Sequence, residues 1–270
     1  MPREMITSRE NQKLKDARKV RDGKIGESMF VEGVRLAEEA IRSGVRIKEC
    51  LIAESFTGDR ANSILELLRE KGIDANSVSD PVFRSVADTG QSQGIVLICD
   101  QPESSRVSFE SRLSEDPSAM QLVVFLQEIN NPSNLGAITR TAEAAGVAGL
   151  ICSENSADPF SPKALRASMG SAFRLPIWHG AEIDEVFDWA IERGRRLTAA
   201  DAFGDRSYTQ IDWNSPRLLV FGSEAHGLSG NDKIRINDLV KIPMNSSVES
   251  LNLAVAAGVI LFEARRQIVG

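Results

Sequence analysis

Apolar residues recur along the chain in two rhythms. Short unbroken runs at 94–99, 121–126 and 217–221 read as buried strands, and 47–53, 148–152, 196–200 and 239–242 have the same character. Between them, apolar positions fall at helical spacing over 34–42, 61–71, 135–145, 162–168, 182–193 and 251–267. Gly44, Gly72 and Gly146 stand where three of these helices should stop, and a short helix follows Asp80-Pro81. Strands alternating with helices predict an α/β protein with a mainly parallel sheet covered on both faces. Ligands of such sheets sit in loops at the carboxyl ends of the strands.

The rhythm breaks between Gln101 and Ser118, which hold six serines, two prolines and four acidic residues. That composition reads as a linker, dividing the chain into domains 1–100 and 119–270. A length of 270 residues fits two domains of the common size of roughly 100–150 residues. With 42% hydrophobic and 26% charged residues, the chain is expected to be globular, neither collagen-like nor disordered. Cys50, Cys99 and Cys152 form no CxxC pair, so no disulfide scaffold is expected and the cytoplasm is the natural compartment. The longest apolar stretch, 251–262, includes Asn252 and falls short of the ~20 residues that span a bilayer. No apolar signal region opens the chain.

The net charge of −6 argues against a wholly basic nucleic-acid coat. Charge is local, however: Arg3 to Lys24 carry eight basic residues against four acidic ones. Such a cluster either contacts phosphate or is a solvated helix face.

Three loops carry candidate chemistry. The first reads Asn130-Asn-Pro-Ser-Asn-Leu-Gly-Ala-Ile-Thr-Arg140 and runs on to Gly146. Pro132 and the short polar residues make a turn and a helix cap. Gly136 in the first helical turn costs up to ~1 kcal/mol relative to alanine, so close approach of a backbone or ligand is its expected reason. Arg140, four residues on, is expected to share its face.

The second loop, Gly222-Ser-Glu-Ala-His-Gly227-Leu228, imitates a phosphate-binding loop but lacks its lysine. No G-x-G-x-x-G motif is present, so neither a nucleotide triphosphatase nor a standard dinucleotide fold is supported. His179 and His226 are the only histidines and join no acidic or cysteine cluster, so no metal site is expected.

The third loop, Pro243-Met-Asn-Ser-Ser-Val-Glu-Ser250-Leu-Asn252, enters a helix apolar on all sides and therefore expected to be buried. Ser250 is its natural N-cap. Asn252, a buried amide in this reading, would need hydrogen-bond partners, and a polar ligand is one source.

Together the loops resemble the motifs of the SpoU (TrmH-like) branch of the SPOUT RNA methyltransferases. The match lies in Asn134 to Arg140, in Phe221-Gly-Ser-Glu224 with Gly227-Leu228, and in Ile242-Pro-Met244 with Ser250-Leu-Asn252. It covers roughly 120–268, and Lys163 to Ser171 looks like the segment between the first two motifs. Residues 1–100 look more loosely like the family's ribosomal-protein-like substrate-binding domain. Gln127-Glu128 departs from the pair common in the family, which often contains Asp.

The resemblance implies a C-terminal segment threaded into a trefoil knot, one of the exceptions to the rule against knotted chains. It implies S-adenosylmethionine held largely by backbone groups, here of Gly222, Ile242 and Leu251. It also implies methyl transfer to a ribose 2′-hydroxyl of RNA, ribosomal before transfer RNA, by a homodimer. Arg140 would then bind phosphate and stabilise the emerging alkoxide, because a guanidinium holds its proton too firmly to act as a base. Asn134, Glu224, Ser250 and Asn252 would shape the site. Two other readings stand beside this one: a non-catalytic RNA-binding or ribosome-assembly factor on the same fold, and a base methyltransferase.

Overall fold

The structure, a computed structural model, describes residues 5–113, 120–223, 226–245 and 249–269. The chain opens with α1 (Gln12–Arg21), β1 (Ser28–Glu32), α2 (Val34–Ser43), β2 (Ile47–Ala53), α3 (Asp59–Glu70), β3 (Ala75–Val78), α4 (Asp80–Phe83) and β4 (Ile95–Asp100). It continues through α5 (Arg106–Arg112), β5 (Leu122–Leu126), α6 (Pro132–Ala145), β6 (Gly149–Ser153), α7 (Pro162–Ser168), α8 (Ser171–Arg174) and β7 (Ile177–Ala181). It closes with α9 (Ile183–Glu192), β8 (Arg196–Ala200), β9 (Arg206–Ser207), β10 (Arg217–Phe221), α10 (Gly230–Arg235), β11 (Asp238–Lys241) and α11 (Leu253–Val269).

Two compact units result. The first holds the residues up to Pro102 together with Phe160–Arg174; the second holds Glu103–Pro159 and everything from Leu175 on. In the first, four strands lie in the order β1-β4-β2-β3, with β4 antiparallel to both neighbours and β3 parallel to β2. Helix α1 buries Leu14, Ala17 and Val20. Its basic residues are largely paired locally: Lys13 with Glu49 at 2.9 Å, Lys15 with Glu10 at 2.8 Å, and Arg21 with Asp22 at 2.8 Å. That pairing favours the solvated-face reading of the cluster.

The segment 160–174 is a departure from the expected division. Phe160, Ala164, Leu165 and Phe173 are buried, Arg166 pairs with Asp88 at 2.7 Å, and Arg174 pairs with Glu39 at 2.6 Å. Gly170 (φ +92°) lies so close to Glu39 that a Cβ would meet its side chain at 2.6 Å. Residues 119–270 are therefore not a closed body by themselves.

The second unit is built on a seven-stranded sheet in the order β7-β6-β5-β10-β8-β11-β9, parallel throughout. Strands β5, β6 and β10 are buried at every position, and all their residues are apolar except the terminal Ser153 of β6 and Arg217 of β10. Two sequence expectations need correction here. The segment 101–118 is not a simple linker, because α5 lies inside it and Phe109 is wholly buried among Trp178 and Trp189, 6.2 and 5.6 Å away between ring centroids. Gly149 exists to admit that ring; a Cβ there would sit 2.5 Å from it. Nor is α11 buried all round. Ala257, Ile260, Leu261 and Ala264 are buried, whereas Val255 and Phe262 are 53% and 49% exposed, so one apolar face is left open.

Candidate active site

Four loops meet at the carboxyl ends of β5, β8, β10 and β11 around a cavity of about 600 Å³. Each is shaped locally. Asn131 caps α6 by accepting the Ser133 N–H at 2.9 Å, Pro132 occupies the first turn, and Gly146 (φ +83°) ends the helix in the left-handed region. After β10 the chain doubles back at once: the Gly227 N–H donates to the Ser223 carbonyl at 2.8 Å, and a Cβ on Gly222 would lie 2.5 Å from the Gly227 backbone. Only glycine fits at 222. Before α6, Ser153 Oγ accepts the Glu128 N–H at 2.8 Å and Ser156 Oγ accepts the Ile129 N–H at 3.1 Å. These bonds hold Glu128 at φ +55°, a left-handed conformation rare for a glutamate.

The cavity collects most of the residues singled out from the sequence. Asn134, Gly222, Ile242, Ser250, Leu251 and Asn252 all line it. Glu224 lies outside the described residues. Arg140 is not among the lining residues; it is exposed on α6, while Gly136 one turn earlier is buried. Asn134 and Arg140 are six residues apart and so about 120° apart around the helix, on different faces.

Asn252 also corrects an expectation. It is exposed rather than buried, and its partners belong to the protein. Its Oδ1 accepts the N–H groups of Ala254 at 3.0 Å and Val255 at 3.3 Å, while its Nδ2 donates to Asn134 Oδ1 at 3.2 Å. Asn252, not Ser250, caps α11, and the same amide ties the first loop to the third.

Sequence reasoning missed the loop after β8. Asp201 and Phe203 line the cavity with Lys233 of α10, and Asp201 pairs with Lys233 at 2.6 Å. Burial pushes the Asp201 carboxyl upward, but the Lys233 hydrogen bond, the Phe203 N–H and the Lys233 charge outweigh it and hold the group below the usual aspartate value. The one available signal was position: Asp201 directly follows a strand. Among the described residues no group of three His, Cys, Asp or Glu side chains could hold a metal ion. No helix among them is long and apolar enough to cross a membrane.

A parallel α/β sheet with a cavity of mixed polar and apolar lining at its carboxyl edge is the arrangement in which α/β proteins bind small molecules. Comparison with known proteins narrows this. Residues 121–262 match the SpoU rRNA Methylase family, and residues 30–105 match the family described as RNA 2′-O ribose methyltransferase substrate binding. The chain belongs to the SpoU rRNA methylase family. A Bacillus subtilis relative, 23S rRNA (guanosine(2553)-2′-O)-methyltransferase RlmP, is 29% identical over 96% of this chain and 98% of its own. The crystal structure of the SpoU methyltransferase AviRb from Streptomyces viridochromogenes superposes with a TM-score of 0.83 at 28% identity, covering 96% of this chain and 98% of that one. An AdoMet-bound rRNA methyltransferase from Sinorhizobium meliloti gives 0.81 at 30% identity, covering 97% of both chains.

Proposed function

We propose that this protein transfers a methyl group from S-adenosylmethionine to a ribose 2′-hydroxyl of RNA, in ribosomal rather than transfer RNA. The observation that carries the reading is the single cavity in which Asn134, Gly222, Ile242, Ser250, Leu251 and Asn252 meet from three separate loops. Its volume of about 600 Å³ suits a nucleoside carrying an amino-acid chain, within the ordinary range for ligand pockets of roughly 300–1,000 Å³. The residues present fit that group: backbone at Gly222, Ile242 and Leu251 offers donors and acceptors, and Ile242 and Leu251 add apolar side chains that suit a nucleoside. When bound, S-adenosylmethionine supplies a methyl on a sulfonium, already a good leaving group.

The remaining work is orientation and charge stabilisation. Asn134, Ser250 and Asn252 set the polar wall of the cavity. Arg140 holds a phosphate of the RNA and stabilises negative charge growing on the ribose oxygen. Its position outside the cavity, together with the open apolar face of α11, supports a homodimer in which α6 and α11 form the interface and a second copy completes the site. Strand β8 lying between β10 and β11 supports the threading of the C-terminal segment as a trefoil knot. The first unit captures RNA, a role supported by its substrate-binding family match. The ribosomal preference is supported by the family description and by the rRNA named for RlmP. Three buried free thiols suit the cytoplasm.

Two measurements test this. Calorimetry with the full chain should show binding of S-adenosylhomocysteine without added metal. RNA methylated by the protein should resist alkaline cleavage at one phosphodiester, because a methylated 2′-oxygen cannot attack the adjacent phosphate. Methylated product that remains alkali-sensitive there identifies a base methyltransferase, and absence of cofactor binding identifies a non-catalytic factor.

A further inference from the structure

Phe203 is 94% exposed, more than any other large hydrophobic residue described, yet it lines the cavity. It is not carried on a loose loop. Its N–H donates to Asp201 Oδ1 at 2.8 Å, and the other oxygen of that carboxylate is held by Lys233 at 2.6 Å. The Asp201 N–H donates to the Val240 carbonyl at 2.9 Å. Gly204 then packs so closely on β11 that a Cβ would lie 2.7 Å from the Val240 carbonyl carbon. The turn is pinned on both sides of the ring, while the ring itself touches water. Folding gains nothing from leaving a phenyl group there. Of the other rings lining the cavity, Phe221 is buried in the sheet and His226 is exposed in the loop after β10.

We propose that Phe203 is a stacking platform for a nucleobase at the open side of the cavity. A phenyl ring offers a flat π face and no hydrogen-bonding group, which suits any base and selects none. The proposal deepens the RNA methyltransferase reading and rests on it. The base has two possible sources, the adenine of the cofactor and a base of the RNA, and the stacking chemistry is common to both.

The full-length Phe203→Trp variant tests it. Trp178, Trp189 and Trp213 are all buried, so the added indole reports separately through its red-shifted emission. Saturable quenching by adenosine assigns the ring to the cofactor, and quenching by a short single-stranded oligoriboadenylate alone assigns it to RNA. Quenching by neither overturns the proposal. Affinity for whichever ligand quenches should fall roughly tenfold in Phe203→Ala and Phe203→Leu and be restored in Phe203→Tyr. Full affinity in Phe203→Leu also overturns it, since leucine keeps the apolar contact but not the π face. Calorimetry of the wild-type chain with S-adenosylhomocysteine separates the two ideas. Binding there with a silent indole defeats stacking and leaves the methyltransferase reading standing; no binding with an indole quenched by RNA does the reverse.

Discussion

The two edges of the seven-stranded sheet are made by the same strands, yet they use polar residues in opposite ways. Arg196, Arg206, Arg217 and Asp238 are the first residues of β8, β9, β10 and β11 and meet at the amino edge. Arg217 donates to Asp238 at 2.7 Å, to Thr198 Oγ1 at 2.8 Å and to the Asp212 carbonyl at 2.8 Å, and Arg206 reaches the second Asp238 oxygen at 2.6 Å. Asp238 is only 3% exposed, and its charge is consumed entirely inside the protein. At the carboxyl edge the polar groups stand open: Ser250 and Asn252 are exposed on the cavity, and Arg140 is exposed outside it. One edge uses its polar groups to hold strands in register, and the other leaves Ser250 and Asn252 exposed at the cavity.

Breaking the amino edge should give the largest effect. Asp238→Ala leaves the buried Arg217 guanidinium without its counter-ion, which typically costs about 3–5 kcal/mol of stability. Urea denaturation measures this, while S-adenosylhomocysteine affinity of the folded protein should not change. A loss below about 1 kcal/mol would show that the cluster is not what joins β10 to β11. Acid should reveal the same link. Burial works to raise the Asp238 pKa, but the Arg217 hydrogen bond and the charges of Arg217, Arg196 and Arg206 hold it below the ordinary 3.8. Its contribution is therefore complete at neutral pH and lost as pH falls below that value.

At the carboxyl edge the expected pattern reverses. Arg140→Ala should leave stability within about 0.5 kcal/mol, as for exposed residues generally. Single-turnover methyl transfer should drop by roughly 10²–10³, the usual cost of an electrostatic donor to the transition state. Arg140→Lys should lose less, keeping the charge without the planar fork. Cofactor affinity should be nearly unchanged in both, and wild-type turnover in Arg140→Ala would remove this residue from the mechanism.

What could be read from the sequence follows from how local each feature is. Strands β5, β8 and β10 were legible because their buried interiors are mostly apolar, broken in β8 only by Thr198. Strand β7 was not, because it lies at the sheet's edge and places the partly exposed His179 and Gly180 in mid-strand. Helix α5 was hidden by its serines; its place in the core rests on Phe109 alone. The attachment of 160–174 to the first unit depends on Glu39 and Asp88, far away in the chain, and no local pattern encodes it. In the site, Gly222, Ile242 and Leu251 were singled out only through the resemblance to the family's motifs, and all three line the cavity. Asp201 and Phe203 have no motif around them, and their meaning comes only from Lys233 and the cavity wall.

The smallest effect should come from Asn252, where the two uses of polar groups share one side chain. Its Oδ1 caps α11, a structural role, and its Nδ2 holds Asn134 Oδ1, a role in the site. Asn252→Ala removes both, and loss of an N-cap costs about 1 kcal/mol. Asn252→Asp keeps the accepting oxygen, and its negative charge suits the helix N-terminus, so stability should be kept within a few tenths of a kcal/mol. It also replaces a donor to Asn134 with an acceptor, so two oxygens now face each other. Methyl transfer should therefore fall in Asn252→Asp, by several-fold rather than by the factor expected for Arg140, with little change in melting temperature. An aspartate variant that is both stable and fully active would reduce the Asn134–Asn252 contact to a by-product of capping. An aspartate variant that is stable but slow would show that the carboxyl edge takes its geometry from the same bond that starts its last helix.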